Sequence, residues 1–200
     1  RFLFELLQNA DDCKYPDGYR PKFSLRVDQD ILKVNYNETG FTKDNVRAIT
    51  AIGESTKKLL LNGQNSVIGE KGVGFKSVFG VADYVDIHSN GFDFRLTSEL
   101  PTVPEKISSI HNLEGTVMEY KLKDRNIIKN FTEEKILNTC LCLRNLKDID
   151  ILGIKVTIRD IDDKRIITIQ GKTYEFERMV YEFDVDDEEA VAERNSNQKA

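Results

Sequence analysis

The chain is poor in cysteine, histidine and proline, has no tryptophan, and lacks any long apolar run. Its three cysteines among 200 residues are too few for a disulfide framework, which points to a reducing, intracellular setting, cytoplasmic or nuclear. Cys140-x-Cys142 comes with no second pair to complete a metal set. It falls among Leu137, Leu141 and Leu143, where small thiols simply pack. His88 and His111 are far apart, one in a strand-like segment and one in a loop, and both read as structural. No apolar stretch approaches the ~20 residues of a membrane-spanning helix, and no secretory leader is visible. There is no excess of positive charge: 29 Lys and Arg face 34 Asp and Glu, for a net charge of −5. That balance argues against a nucleic-acid magnet. No internal repeat is present, and no initiator Met: the chain opens in mid-helix at Arg1-Phe2-Leu3-Phe4, which reads as an N-terminal truncation.

What remains is an ordinary globular composition, 40% hydrophobic and 32% charged. The length suits one domain, or one domain with an appendage. Residues 1–13 read as a helix, with Leu3, Leu6, Leu7 and Ala10 on one side and Glu5, Gln8, Asn9 and Asp12 on the other. Residues 23–27 and 31–36 alternate as a hairpin. Thr42 reads as the cap of a helix carrying Val46, Ile49 and Ile52. Residues 54–68 are polar, and a glycine-rich stretch leads into a helix from Ser77 to Val81. Further strands are expected at 84–88, at 92–96 after the Asn90-Gly91 turn, and at 115–122, 154–158 and 165–169, the last two joined by residues 160–163. A helix is expected over 132–146. The tally is α+β, a mixed sheet with helices on one side.

Two motifs carry chemistry. On the first helix, the i, i+4, i+7 spacing of Glu5, Asn9 and Asp12 aims three polar groups at one spot. An amide oxygen suits Mg²⁺, which keeps most of its waters, and a nearby carboxylate can accept a proton from an attacking water. The second motif is Gly69-Glu70-Lys71-Gly72-Val73-Gly74-Phe75-Lys76-Ser77. Its glycines permit close backbone approach, and the helix that follows offers free N–H groups to a phosphate. It is not a P-loop: Phe75 intervenes between the second glycine and Lys76.

Taken in order, Glu5-x-x-x-Asn9-Ala10-x-Asp12, an acid-x-Gly element, Gly69-x-x-Gly72-x-Gly74-Phe75 and Gly115-Thr116 resemble the Bergerat-fold (GHKL) ATP-binding superfamily. That superfamily includes gyrase B subunits, ATP-dependent chaperones, MutL-type repair proteins and histidine kinases. Leu7-Gln8-Asn9-Ala10-Asp11-Asp12, Asn37-Glu38-Thr39-Gly40-Phe41 and Gly53-Glu54-Ser55-Thr56-Lys57 look like the sacsin and NO VEIN-like group. The resemblance covers roughly residues 1–125.

It implies a two-layer α/β sandwich whose mixed, mostly antiparallel sheet is covered by helices on one face. The ATP-binding domain would span 1–180, followed by an acidic and polar tail over 181–200. Glu5 would be the catalytic base, Asn9 the Mg²⁺ ligand, and Asp12 a nucleotide contact at the helix end. The family reads adenine with Asp-x-Gly-x-Gly; here Glu38 with Gly40 is the preferred counterpart and Asn37 the second. Thr116 matches a threonine near the adenine. Residues 54–71 would form a lid held by Ser55, Thr56 and Lys57. Gly69, Gly72, Val73, Gly74 and Phe75 would wrap the phosphates, with Lys76 adding charge. The implied activity is slow, Mg²⁺-dependent ATP hydrolysis driving a conformational switch toward a neighbouring domain or second protomer. The altered adenine element leaves room for a nucleotide-binding scaffold without turnover.

Overall fold

The computed structural model describes residues 2–51 and 75–177. Helix α1 (Phe2–Asp11) buries Leu3, Leu6, Leu7 and Ala10, the stripe its sequence period dictates. Strands β1 (Lys22–Asp28) and β2 (Ile31–Tyr36) form an antiparallel hairpin. Helix α2 (Lys43–Thr50) starts at a full capping box: the Thr42 hydroxyl accepts from the Asn45 amide, and the Asn45 side chain accepts from the Thr42 amide.

Beyond the undescribed residues, a 3₁₀ turn (Ser77–Gly80) leads to β3 (Ala82–Ser89), β4 (Phe92–Thr97), the two-residue β5 (Glu105–Lys106) and β6 (Thr116–Leu122). A second 3₁₀ turn (Arg125–Asn130) and helix α3 (Glu133–Cys140) precede β7 (Asp148–Ile151), β8 (Ile154–Ile161), β9 (Lys164–Ile169) and β10 (Lys172–Glu177). The fold is α+β, with one ten-stranded mixed sheet in the order β10-β9-β8-β7-β1-β2-β6-β3-β4-β5. Every neighbouring pair is antiparallel except β1 with β7. Among the described residues no helix is long and apolar enough to cross a membrane.

The strands sort their residues by period two. Leu25, Val34, Met118, Ile87 and Leu96 are buried, each with its neighbours at alternate positions. Phe2 of α1 stands edge-on to the Tyr120 ring at 6.0 Å between centroids, which lays α1 on this apolar face. The intervening positions carry two ion pairs, Lys33 with Glu119 at 2.7 Å and Arg95 with Asp86 at 2.6 Å, and a hydrogen bond between His88 and Asp93 at 2.6 Å. Burial alone would raise the Asp93 carboxyl, but hydrogen bonds from His88 and Ser109 outweigh it and hold the group below its ordinary value. His88 is thus structural, as its position in the sequence suggests.

Three expectations need correction. The helix expected over 132–146 stops at Cys140, because backbone groups that would extend it are taken by others. Arg165 donates to the carbonyls of Leu141 at 2.8 Å and Leu143 at 2.5 Å. Asp11 accepts from the amides of residues 144 to 146. The segment from Ser77 is a single 3₁₀ turn, ended at Gly80 and tied down where Lys123 donates to the Phe79 carbonyl at 2.7 Å. Strand β8 runs on to Ile161, with the turn placed at Asp162, whose φ is 51°. Strands β5, β7 and β10 were not anticipated. Cys140 is fully buried, and its thiol is pushed up to about 12 by that burial, so it packs rather than ligates.

Asp160 anchors the same corner. Hydrogen bonds from Arg165 (2.8 Å) and Lys147 (3.1 Å) pull its carboxyl down to about 2, with Arg165 the larger cause. A depressed carboxyl stabilises the fold fully above the ordinary value of 3.8 and loses that contribution as pH falls toward 2. The stability gap between wild type and Asp160→Asn, measured by urea unfolding, is therefore expected to be widest above about pH 5 and to close on acidification. A gap independent of pH would contradict this assignment.

Candidate functional site

A cavity of about 380 Å³ opens between α1, α2, β2 and β6, within the range of small-molecule sites. Leu6, Val34, Ile49, Phe75 and Met118 supply its apolar walls, while Asn9, Asp12, Glu38 and Asn145 supply polar groups. Helix α1 delivers Asn9 and Asp12 together because they lie three residues apart on one helical face. Just past the helix, Tyr15 donates to the Ala10 carbonyl at 2.8 Å, and the Thr39 amide donates to the Lys14 carbonyl at 2.9 Å. These bonds dock the loop carrying Glu38 against the C-terminal end of α1. The Tyr15 phenol is held well above its ordinary range, mainly by burial and then by Cys13, Glu38 and Asp11.

Glu38 is 7% exposed and Thr116 fully buried. The Thr116 hydroxyl donates to Glu38 Oε1 at 2.5 Å. Ser89 Oγ lies 2.5 Å from Thr116 Oγ1 and accepts from the Phe41 amide at 2.8 Å. A hydroxyl has one proton. With the Thr116 proton committed to Glu38, Ser89 must donate to Thr116, so the chain runs in one direction and ends on the carboxylate. The bond fixes the orientation of the Glu38 carboxylate.

Gly115 makes the arrangement possible. A Cβ there would meet the Tyr36 carbonyl oxygen at 2.2 Å and the Asn37 Cα at 2.8 Å, and its φ is +78°. Only glycine lets β6 begin so close to the loop that bears Glu38. Gly40 has φ +87°, and a Cβ there would meet Asn90 Cβ at 2.7 Å.

No family model matches the chain. It is 44% identical to Protein NO VEIN of Arabidopsis thaliana over 60% of this chain and 5% of that protein. It is 27% identical to Chaperone protein HtpG of Bdellovibrio bacteriovorus over 69% of this chain and 27% of that protein. The chain therefore spans far less than two thirds of the length of either relative.

The sequence-derived site is gathered in part. Asn9, Asp12, Glu38, Gly40 and Phe75 line one cavity, and Thr116 stands behind Glu38 rather than on the cavity surface. Glu5 is half-buried on the same helix but is not among the cavity-lining residues. Asn37 goes elsewhere: its side chain accepts from the Lys22 amide at 2.7 Å and donates to the Arg20 carbonyl at 3.0 Å. Glu38, not Asn37, is thus the acid-element side chain in the cavity. Lys76 donates to the Ala51 carbonyl at the end of α2. Ser55, Thr56, Lys57, Gly69, Gly72, Val73 and Gly74, with the expected lid over 54–71, lie outside the described residues.

Sequence reasoning passed over Ser89, Asp11 and Asn145. Asp11 left a signal: it follows Leu3 and Leu7 at four-residue steps, so it is an acid in the apolar stripe. It is 3% exposed and accepts from the backbone amides of Arg144 (2.7 Å), Asn145 (2.8 Å) and Leu146 (2.7 Å).

Proposed function

We propose that this chain is an ATP-binding module of the Bergerat (GHKL) type, with its domain over 1–180, working as a slow, Mg²⁺-dependent ATPase switch of chaperone-like character. The observation that carries this reading is one cavity lined by Asn9 of α1, by Asp12 just past its end and by Glu38, with Thr116 and Ser89 hydrogen-bonded in a chain behind the carboxylate. The similarity to HtpG, a chaperone by name, supports it, as does the order of the motifs.

In this reading the purine lies in the apolar slot, and its amine donates to Glu38. The triphosphate runs back along α1 toward Asn9. The Asn9 amide oxygen is a hard donor of the kind Mg²⁺ takes. Among the described residues no cluster of three His, Cys, Asp or Glu could hold a metal. Bound there, Mg²⁺ would neutralise phosphate charge. Glu5 is the candidate for holding the proton of the attacking water. A neighbouring domain or second protomer would read the closed state.

Binding without turnover is the second reading. The place of Glu5 outside the cavity lining favours it.

Calorimetric titration with ATP, ADP and GTP, with and without Mg²⁺, tests the binding that both readings share. Absence of binding by every nucleotide would end both. Glu38→Ala is expected to weaken ATP binding about 10- to 100-fold, the worth of a hydrogen bond to a charged group. ATP affinity unchanged in that variant would remove Glu38 from the site.

A further inference from the structure

We infer that Asn145, on the connector between α3 and β7, is a specificity-determining residue of this site: its side-chain oxygen accepts a hydrogen bond from a ribose hydroxyl of the bound nucleotide. The inference rests on the nucleotide reading above and adds to it a residue outside every motif of the sequence.

Position comes first. Asn145 lines the cavity together with Asn9 and Asp12. Helix α1 orders the cavity along its axis at about 1.5 Å per residue. Asn9 marks the phosphate end. Past the C-terminal end of α1, the Lys14 carbonyl receives the Thr39 amide, which puts the loop bearing Glu38, the base end in this reading, beyond that end of the helix. Asp12 falls between the two, and the connector crosses the helix at this level, because Asp11 binds residues 144 to 146. The part of a nucleotide between base and phosphates is the sugar.

Chemistry comes second. The Asn145 amide N–H donates to Asp11 Oδ1 at 2.8 Å, and its side-chain Nδ2 donates to the Asp11 carbonyl at 2.7 Å. With Nδ2 spent on the helix end, the planar amide carries Oδ1 at its opposite corner. No donor among the described residues meets that oxygen. That oxygen can accept from one sugar hydroxyl.

Pre-organisation comes third. The connector is clamped on one side by Asp11 and on the other by Arg165, which takes the carbonyls of Leu141 and Leu143. An acceptor fixed before binding loses little entropy on use.

The test is a comparison of ATP with 2′,3′-dideoxy-ATP, both with Mg²⁺, by calorimetric titration of the chain. The wild-type protein is expected to bind the dideoxy compound about three- to tenfold more weakly, the worth of one neutral hydrogen bond. Asn145→Ala is expected to bring that ratio to about one. Asn145→Asp keeps an oxygen at the site and is expected to retain the preference, even where the lost Nδ2 bond lowers both affinities. The ratio reads the sugar contact separately from any loosening of the connector, which weakens both nucleotides alike. A ratio unchanged in Asn145→Ala, or no preference in wild type, overturns the assignment while leaving the nucleotide reading intact. Failure of the wild-type protein to bind either compound overturns both.

Discussion

Replacing Asp11 with alanine is expected to destabilise the fold by about 3–5 kcal/mol, a large fraction of the stability of a typical domain. The reason is the number of groups stranded at once. The carboxylate is 3% exposed and accepts three consecutive backbone amides, from Arg144, Asn145 and Leu146, all at 2.8 Å or less. A buried donor left without an acceptor costs about 1–3 kcal/mol, and water that reaches the gap recovers part of it. The Asp11 carbonyl still holds the Asn145 side chain in the variant, so the connector is loosened rather than released. Asp11→Asn keeps the shape and one acceptor oxygen, and a loss between wild type and alanine is expected. Urea unfolding gives the numbers: a lower midpoint at unchanged slope. A loss below about 1 kcal/mol for Asp11→Ala would mean that the amides find other partners.

The same residue shows what the sequence could and could not reveal. Patterns set by near neighbours were legible. The Asn90-Gly91 turn has both residues at positive φ, 48° and 78°, as that dipeptide predicts. The Thr42 cap and the hairpin of β1 with β2 follow from residues a few positions apart. So did the grouping of Asn9 with Asp12, which helical spacing alone enforces. What was not legible depends on pairing at long range. Helix α3 ends where it does because Asp11 and Arg165, respectively 133 and 24 positions from their partners Arg144 and Leu141, claim its continuation. Strand β7 is four residues long, and its parallel pairing with β1 joins chain segments that no local period connects. For the adenine contact the sequence ranks Glu38 ahead of Asn37 without separating their surroundings. Only the fold shows one side chain tied to the start of β1 and the other set against Thr116. Ser89 reads as one more strand residue until its hydroxyl is found between Phe41 and Thr116.

These long-range bonds also make the cavity and the C-terminal strands one mechanical unit. Asn145 touches the cavity, Asp11 holds the connector to α1, and Arg165 and Lys147 hold it to Asp160 on β8. A short path of hydrogen bonds thus links the α1 end of the cavity to β8 and β9. In the proposed switch, this is the described route by which occupancy could bias a neighbouring domain. The connector qualifies as part of such a route only if its two arrangements differ in free energy with nucleotide bound.

Glu5→Ala separates the two readings of the site. If Glu5 takes the proton of the attacking water, the variant is expected to keep ATP affinity within about twofold and to lose turnover by 10²- to 10⁴-fold, roughly what a positioned general base contributes. Glu5→Gln should fail equally, because an amide preserves the shape but cannot accept the proton. The measurement is phosphate release under saturating Mg·ATP, beside calorimetric affinity for the same samples. Affinity is expected to be spared because Glu5 does not line the cavity where base and sugar would sit; its helical step to Asn9 places it one turn further along α1, beyond the metal-binding position. A wild-type protein that binds ATP and releases no phosphate leaves the binding scaffold as the function. Variants that hydrolyse at the wild-type rate put the base elsewhere. Loss of binding and turnover together would mean that Glu5 shapes the site instead of acting on water, since a proton acceptor has no part in holding the ground state.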